Sequence, residues 1–321
     1  MAQSDLAVFS EYLYAGLTEV VDQQIEKFNA ASRGTITLSP GAHQGDYSEM
    51  AFFKKLSGLV RRRNAYGTGT VSAIDMEHLL DTMVKVAAGT PPVNIPPSQF
   101  KWIQQNPETA GAAMGQQLAG DTMADMLNTA VIAGRVAIGQ NALAVLDITG
   151  ETPDTMSASA LVRGAVKFGD RSGDIAAWIM HSTPMSDFYV AGVTNTAQLF
   201  TYGSINVIAD PFGRIFVVTD SPGLITTGTP NIYWSLGLVN GALVVNQNND
   251  FTDNWSTTNG GENIQRTYQA EWSFQVGVKG FAWDKANGGA SPNDAALATA
   301  TNWDRYATSL KDTAGVLIKS N

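Results

Sequence analysis

One continuous stretch, residues 106–139, organises the chain and has the sequence NPETAGAAMGQQLAGDTMADMLNTAVIAGRVAIG. It begins like a helix, with Asn106 as an N-cap, Pro107 in the first helical position and Glu108 in the first turn. Residues suited to a buried face then recur at helical spacing at Met114, Leu118, Met123, Met126, Leu127, Ala130, Val131, Gly134 and Ile138. The pattern predicts one helix over 107–139, roughly 45 to 50 Å long. We expect a structural strut, whose methionines fill a core rather than bind a cofactor.

Composition indicates a folded chain with few surface charges. Of 321 residues, 44% are hydrophobic and only 15% are charged, against roughly 25% in an average domain. Such a surface suits contacts with copies of the same chain, although a secreted monomer with polar loops has a similar composition. The absence of cysteine excludes disulfides, thiolate nucleophiles and cysteine zinc sites. The N-terminus resembles no secretory signal and no apolar run is long enough to span a membrane, so we expect a cytoplasmic product.

The net charge is −9, from 29 acidic and 20 basic residues. A protein that grips nucleic acid through its phosphates normally carries a basic surface, so this balance argues against that class. The basic residues are unevenly placed, because residues 44–64 hold five of them against two acids, a local charge of +3 that leaves −12 elsewhere. A cationic projection on an anionic body is complementary between copies, which favours self-association.

The N-terminal third contains a helix and an extended loop. Residues 6–28 place Phe9, Leu13 and further apolar side chains on one helical face, which either lies on a neighbouring copy or packs on its own domain. Two strand-forming runs, 51–63 and 68–74, predict a long hairpin or extended loop. The candidate contact residues are Phe9, Leu13, Phe52, Phe53, Lys54, Lys55, Arg61, Arg62 and Arg63. Three adjacent arginines cannot all face one way, so a nucleic-acid patch is the weaker interpretation.

The C-terminal half alternates helix and strand. A helix over 157–168, a buried strand over 175–180 and a helix beginning at Thr183-Pro184 indicate an α/β subdomain. Residues 271–279 alternate strictly and predict a strand that pairs with 236–245 across the polar loop 246–261, forming a ribbon on the long helix. Residues 246–253 are rich in Asn and Asp, but a turn is favoured over a calcium site. There is no P-loop, HExxH or GxSxG motif, and the only imidazoles are His43, His78 and His181.

Several blocks together resemble the major capsid proteins of tailed bacteriophages. They are SPNDAAL at 291–297, NWD at 302–304 and DTAGVLIK at 312–319, preceded by DIAAWIMHS at 174–182, SINVI at 204–208 and GRIFVVTDSPG at 213–223. Without the resemblance, the last block indicates only a turn, a helix started by Ser291-Pro292 and a final strand at Val316 to Ile318. The blocks cover roughly the C-terminal half, and the N-terminal half matches in layout.

The resemblance implies an α+β capsid fold, shared by tailed phages, encapsulins and herpesvirus shell floors. Its parts are an N-terminal arm (1–34), an extended β-hairpin loop (35–75), a peripheral domain with spine helix and β-ribbon (76–149 and 236–284), and an α/β axial domain (150–235 and 285–321). Phe52 and Phe53 beside Lys54 and Lys55 then help to anchor the loop on an adjacent subunit.

The function implied is a structural virion protein that self-assembles into pentamers and hexamers of an icosahedral shell in the host bacterial cytoplasm. The shell encloses DNA without sequence-specific binding, and the acidic charge suits an inner wall that releases the polymer. The expected partners are the chain itself, a separate scaffolding protein, a portal and a decoration protein in some phages; no enzyme activity, cofactor, metal or membrane is expected. The alternatives are an encapsulin-like or other self-assembling phage protein and, from another class, a carboxylate-dependent hydrolase.

Overall fold

The computed structural model describes residues 3–41, 43–54, 56, 59–190, 197–202, 205–209 and 215–321. Its α-helices are α1 Gln3–Ala31, α2 Pro97–Gln105, α3 Pro107–Gly139, α4 Ala158–Val166, α5 Ser182–Val190, α6 Lys285–Gly288 and α7 Asp294–Leu297. Its strands are β1 Ile36–Pro40, β2 Tyr47–Phe53, β3 His78–Gly89, β4 Val93–Ile95, β5 Val145–Asp147, β6 Ile175–Met180, β7 Ala197–Tyr202, β8 Ile205–Ala209, β9 Ile215–Thr219, β10 Ile225–Thr226, β11 Ile232–Val239, β12 Leu243–Gln247, β13 Thr252–Thr258, β14 Gln265–Val278, β15 Phe281–Trp283, β16 Trp303–Arg305 and β17 Gly315–Ser320.

The long helix α3 spans the predicted residues and packs against α1 and against strands of both sheets. Met123 and Met126 are buried in the core, which confirms that the methionines fill space. Asn106 is the N-cap residue, and Pro107 and Glu108 occupy the first turn, as predicted, although the Asn106 side chain makes no capping hydrogen bond. In the described part of the chain, no helix is both long and apolar enough to cross a membrane.

The first sheet is built around β14, which pairs with β12, β13, β3, β4 and β15. The predicted ribbon is confirmed over Leu243 to Val245, which pair antiparallel with Val278 to Val276, and the pairing continues to Gln247, inside the predicted loop. Its other details were wrong, because residues 236–239 belong to β11 in the second sheet and the predicted loop contains β13, paired along β14. Trp255 of β13 packs on Phe9 of α1 with ring centroids 5.3 Å apart, which gives that polar strand an apolar anchor.

The second sheet has the order β5-β17-β11-β6-β9-β8-β7, with β10 on β11. The predicted strand at 175–180 and the final strand are confirmed as β6 and β17. Ser157 caps α4 by accepting a hydrogen bond from the Ala160 amide. The predicted start of the last helix at Ser291-Pro292 is wrong: Ser291 has a φ of +50°, and Asn293 caps α7 two residues later. The expected domain division at residue 235 falls inside β11.

The structure contains a hairpin in the predicted region, but its strands are β2 and β3 rather than the two predicted runs. β2 and β3 pair antiparallel from Tyr47 opposite Val84 to Phe53 opposite His78. Of the runs predicted over 51–63 and 68–74, only residues 51–53 form a strand, as the end of β2. Residues 59–77, all of them described, contain no strand and are exposed throughout, as in the predicted alternative of an extended loop. Their side chains have no apolar surface of this chain to pack on, so strand propensity alone does not produce a strand there.

Helix α1 lies along α3 at very close range and runs in the same direction. A Cβ atom added at Gly111 would lie 2.6 Å from the carbonyl oxygen of Phe9, and one at Gly115 would lie 2.5 Å from that of Leu13. Both glycines are therefore required for the approach of the two backbones. Of the two alternatives for the N-terminal helix, the structure adopts packing on its own domain.

We predict opposite effects from two helical Gly→Ala substitutions. Gly115→Ala should destabilise the unassembled chain by about 1 to 3 kcal/mol, because its methyl group overlaps backbone atoms. Gly16→Ala on α1 should stabilise it by up to about 1 kcal/mol, because its Cβ would meet Ala112 at an ordinary 3.6 Å. Urea unfolding monitored by circular dichroism measures both, and equal effects would contradict this close helix packing.

Candidate assembly interfaces

The far end of the β2–β3 hairpin is the most exposed part of the described chain. We call residues 59–77 the tip segment. It turns at Asn64, whose carbonyl and side-chain oxygens accept hydrogen bonds from Gly67 N (3.3 Å) and Tyr66 N (3.0 Å). Its six large apolar side chains are between 54% and 96% exposed: Leu59, Val60, Tyr66, Val71, Ile74 and Met76. An exposed apolar segment of this size is typical of an interaction surface.

The base of the hairpin, in contrast, is held by the chain's own residues. The Phe52 ring packs against Tyr306 with centroids 5.0 Å apart. Lys54 pairs with Glu77 across the two strands, at 2.5 Å. Lys285 forms an ion pair with Glu49. These contacts join the hairpin to residues 285–306, so its direction is set within one subunit.

Asp81 and Tyr306 form a polar contact in the same region. Burial raises the pKa of Asp81, opposed by the hydrogen bond from the Tyr306 hydroxyl. Burial, with the charge of Asp81, raises the pKa of Tyr306 to about 12. The Tyr306 hydroxyl also accepts a hydrogen bond from the Gly280 amide at 3.1 Å. The pair ties β3 to the turn between β14 and β15.

The predicted contact residues differ in how far they are buried or paired within their own chain. Phe9 and Leu13 are 1% and 0% exposed, so the structure places them in the core of their own chain. Phe52 is half-buried against Tyr306, and its contact with a neighbour stays a prediction. Phe53 is 61% exposed, and Lys54 closes the hairpin. Lys55 lies outside the described residues.

Arg61, Arg62 and Arg63 remain as candidates for contact with another molecule. They are exposed and form no ion pair with the described residues of their own chain. They lie immediately before the turn at Asn64, at the outer end of the tip segment. Three unpaired guanidinium groups beside exposed apolar side chains combine charge with area that can be buried.

The remaining candidate sites have structural roles. His181 Nδ1 accepts a hydrogen bond from the Thr183 amide at 3.2 Å, and its Nε2 lies 3.5 Å from Asp220, at the start of α5. The Asp250 carboxylate accepts hydrogen bonds from the amide and hydroxyl of Ser273, which makes it a strand link rather than a calcium ligand. Among the described residues, no group of three His, Cys, Asp or Glu side chains could hold a metal ion.

One acidic cavity was missed by the sequence analysis. Asp121 and Asp125 of α3 and Asp294 of α7 line a surface cavity of about 510 Å³. The signal that could have found it is the spacing of the first two residues. They lie four residues apart, on one face of a long helix, where like charges repel.

We predict different consequences for two adjacent phenylalanines. Phe52→Ala should destabilise the unassembled chain by about 1 to 3 kcal/mol, because the packing on Tyr306 is lost. Phe53→Ala should cost less than about 1 kcal/mol, since only its cross-strand contact with His78 is removed. Urea unfolding checks both, and a cost at Phe53 equal to that at Phe52 would contradict the assignment.

The raised pKa of Asp81 predicts a pH-dependent effect of Asp81→Asn. The folded state holds the Asp81 proton more tightly than the unfolded state, so wild-type stability falls as pH rises through its unfolded pKa of 3.8 and then its folded pKa. The variant does not titrate there, so its stability relative to wild type should increase across that window. Unfolding measured between pH 3 and 7 tests this.

Asp284→Asn is the matched control for Asp81→Asn, with the opposite sign. Hydrogen bonds from the Ala286 amide, then from Asn287, lower the pKa of Asp284. Wild type should therefore gain stability over this variant as pH rises through the folded and unfolded pKa values. The same slope for both variants would contradict the assigned environments.

Comparison with known proteins completes the description. Among solved structures, the chain is similar to the capsid of Ralstonia phage GP4, with 11% identity, 89% of this chain and 87% of that chain covered, and a TM-score of 0.47. It is similar to cyanophage Pam1 in a capsid asymmetric unit, with 11% identity, coverages of 87% and 86% and a TM-score of 0.47. The capsid of Myoviridae phage XM1 gives 11% identity, coverages of 90% and 90% and a TM-score of 0.45.

No curated protein matches significantly. The Gp13-like family model, described as major capsid protein 13-like, matches residues 5–317, so the chain belongs to this family and is a structural protein of the phage capsid shell.

Proposed function

We propose that this chain builds its shell from pentamers and hexamers in which the tip segment of one copy lies on the next. The observation that carries the proposal is the contrast between a base fixed within the subunit and residues 59–76, which are described and exposed throughout. Six large apolar side chains of this one segment are exposed to water, each by more than half of its surface. Full burial of one such side chain contributes roughly 1.5 to 3 kcal/mol, so docking on a neighbour is strongly favoured.

Closed assembly follows from the form of this contact. A projection that docks on a different surface of the next copy is a heterologous interface, which closes into a ring when the rotation between copies closes. Small changes at the hairpin base alter that rotation, so one chain can form both five- and six-membered rings. Many such contacts in each ring make the shell cooperative.

The interior of the shell and its accessory partners complete the proposal. The net charge of −9 suits a wall that does not bind the enclosed DNA, because attraction to phosphates requires basic surface. A scaffolding protein, a portal and, in some phages, a decoration protein are the further partners proposed. Assembly takes place in the host cytoplasm, and the chain has no catalytic role in it.

The direct test is the mass distribution of the purified chain, measured by light scattering with negative-stain microscopy. Shells of megadalton mass, or discrete rings of five and six copies, are the expected result. A chain that stays monomeric at high concentration, alone and with its phage's scaffolding protein, would contradict the proposal. An encapsulin-like cage would instead close without any other phage protein, so the scaffold dependence separates the two.

Replacement of the tip should separate folding from assembly. With residues 60–76 exchanged for a Gly/Ser linker of equal length, unfolding free energy should change by less than about 1 kcal/mol, because these side chains make no buried contacts. Rings and shells should be lost. The control exchanges residues 259–263, an equally exposed loop, and should assemble as wild type does. Wild-type shell yield from the tip variant would show that the tip segment is not the assembly contact.

A further inference from the structure

The acidic cavity described above has an unusual charge balance. It lies between α3, the end of β3 and the residues that precede α7, and its carboxylates come from Asp121, Asp125 and Asp294. No Lys, Arg or His is among its lining residues, all of which are described. Three carboxylates with no cation beside them repel one another. The cavity therefore favours a positively charged group from outside the chain.

The helix that supplies two of these carboxylates is otherwise almost free of charge. Between residues 109 and 134, Asp121 and Asp125 are its only charged side chains. Their spacing of four residues places them on one helical face, where like charges destabilise the helix. Burial, with the charge of Asp294, raises the pKa of Asp125. Asp121, Asp125 and Asp294 are exposed in the free subunit, so a cation can reach these carboxylates and reduce their mutual repulsion.

A second observation, independent of the acids, also indicates a ligand. Thr122 lines the same cavity and is 2% exposed, and its Oγ1 has no hydrogen-bond partner in the described part of the chain. Trp272, another lining residue, has a buried Nε1 with no acceptor among the described residues. Buried polar atoms are normally paired, so a ligand in this cavity can supply the partner that each of the two lacks among the described residues.

The chemistry of these groups selects a basic polypeptide. The described carboxylates do not form a metal-binding group. A guanidinium group presents five N–H donors, enough for two carboxylates and the Thr122 hydroxyl at once. The Trp272 indole is a donor only and needs an acceptor, which a backbone carbonyl provides. A segment of chain that carries arginine satisfies both requirements, whereas a free metal ion satisfies only the first.

The described part of the chain contains a suitable segment, in which three arginines are adjacent. Many of its described lysines and arginines already have acidic partners, as Arg163 has Glu151, Lys311 has Asp170 and Lys319 has Asp147. Arg61, Arg62 and Arg63 form no ion pair with the described residues and are adjacent in the tip segment, just before the turn at Asn64. The cavity is at the opposite end of β3, whose 12 residues span about 40 Å. The arginines are therefore separated from their own cavity by the length of β3, and their exposed side chains are available to another copy.

We propose that the cavity lined by Asp121, Asp125 and Asp294 is the socket for the arginines of the tip segment of a second copy. The guanidinium groups neutralise the three carboxylates, and the backbone of the tip segment accepts the Trp272 hydrogen bond. This inference rests on the proposed self-assembly and identifies its two contacting surfaces. It also gives one subunit both halves of the contact, so that each copy is a donor and an acceptor.

The first test removes the acids without removing the fold. Asp121→Asn with Asp125→Asn should leave the unassembled chain at least as stable as wild type, because a repelling pair is lost. The protein concentration needed for half-assembly should rise about tenfold or more. The control is Asp22→Asn with Glu26→Gln, an exposed pair on α1 with the same spacing and charge change. Its assembly should match wild type.

The second test locates the contact directly, and the absence of cysteine gives it a clean background. Arg62→Cys and Asp121→Cys are made in separate chains, mixed under assembly conditions and oxidised, so any bond between them joins two copies. We expect the mixed disulfide well above that formed between Arg62→Cys and the Asp22→Cys control.

The outcomes of the two tests are distinguishable. Shells that form normally from the Asp121→Asn, Asp125→Asn chain, with no crosslink above the control, would overturn the socket and leave the shell function intact. A wild-type chain that never associates would overturn both. Loss of assembly in the α1 control as well would show that net charge, rather than this cavity, governs association.

Discussion

The structure depends on the burial of α3 between partners that come from distant parts of the sequence. Its N-terminal half receives α1, with Gly111 and Gly115 in contact with the backbone of that helix. Its C-terminal half lies against both sheets: a Cβ at Gly134 would meet Leu243 of β12 at 2.7 Å, and one at Gly139 would meet Leu317 of β17 at 3.5 Å. Because one rigid helix is packed into both sheets, each sheet is fixed relative to the other.

Because the two sheets are fixed, the β2–β3 hairpin is held in one direction relative to the core. Half of β3 pairs with β14 inside the first sheet, and the other half pairs with β2 beyond it. The core therefore continues directly into the projection, and Tyr306 braces it from the side. Beyond the Lys54–Glu77 pair, the tip segment is exposed along its whole length in the described chain, at the point where a neighbouring copy is needed. The fixed base of the hairpin limits the positions that the tip segment can take. This lowers the entropy that is lost when its apolar side chains and arginines dock on a neighbour.

Features set by local periodicity could be predicted from the sequence, and features set by distant contacts could not. The bounds of α3, the strand at 175–180 and the final strand follow from spacing, capping and β propensity. The strand β13 was missed because Trp255 is its anchor and the partners of that residue, Phe9 and Tyr268, are distant in sequence. The apolar face of α1 could be predicted from its periodicity. That this face packs on its own subunit follows only from the structure, where Gly111 and Gly115 of α3 approach the backbone of α1. The acidic cavity could not be predicted from the sequence, because Asp294 is far from Asp121 and Asp125 along the chain and only the fold brings the three together.

The central claim is that the tip segment is exposed in the free subunit and covered by a neighbour in the shell. Hydroxyl-radical footprinting of both forms measures this directly, because Tyr66 and Met76 lie in the segment and are reactive side chains exposed in the subunit. Protection of both residues in assembled shells, with Trp102 of α2 as an exposed reference within the subunit, is the predicted result. Equal labelling of Tyr66 and Met76 in subunits and shells would contradict the account.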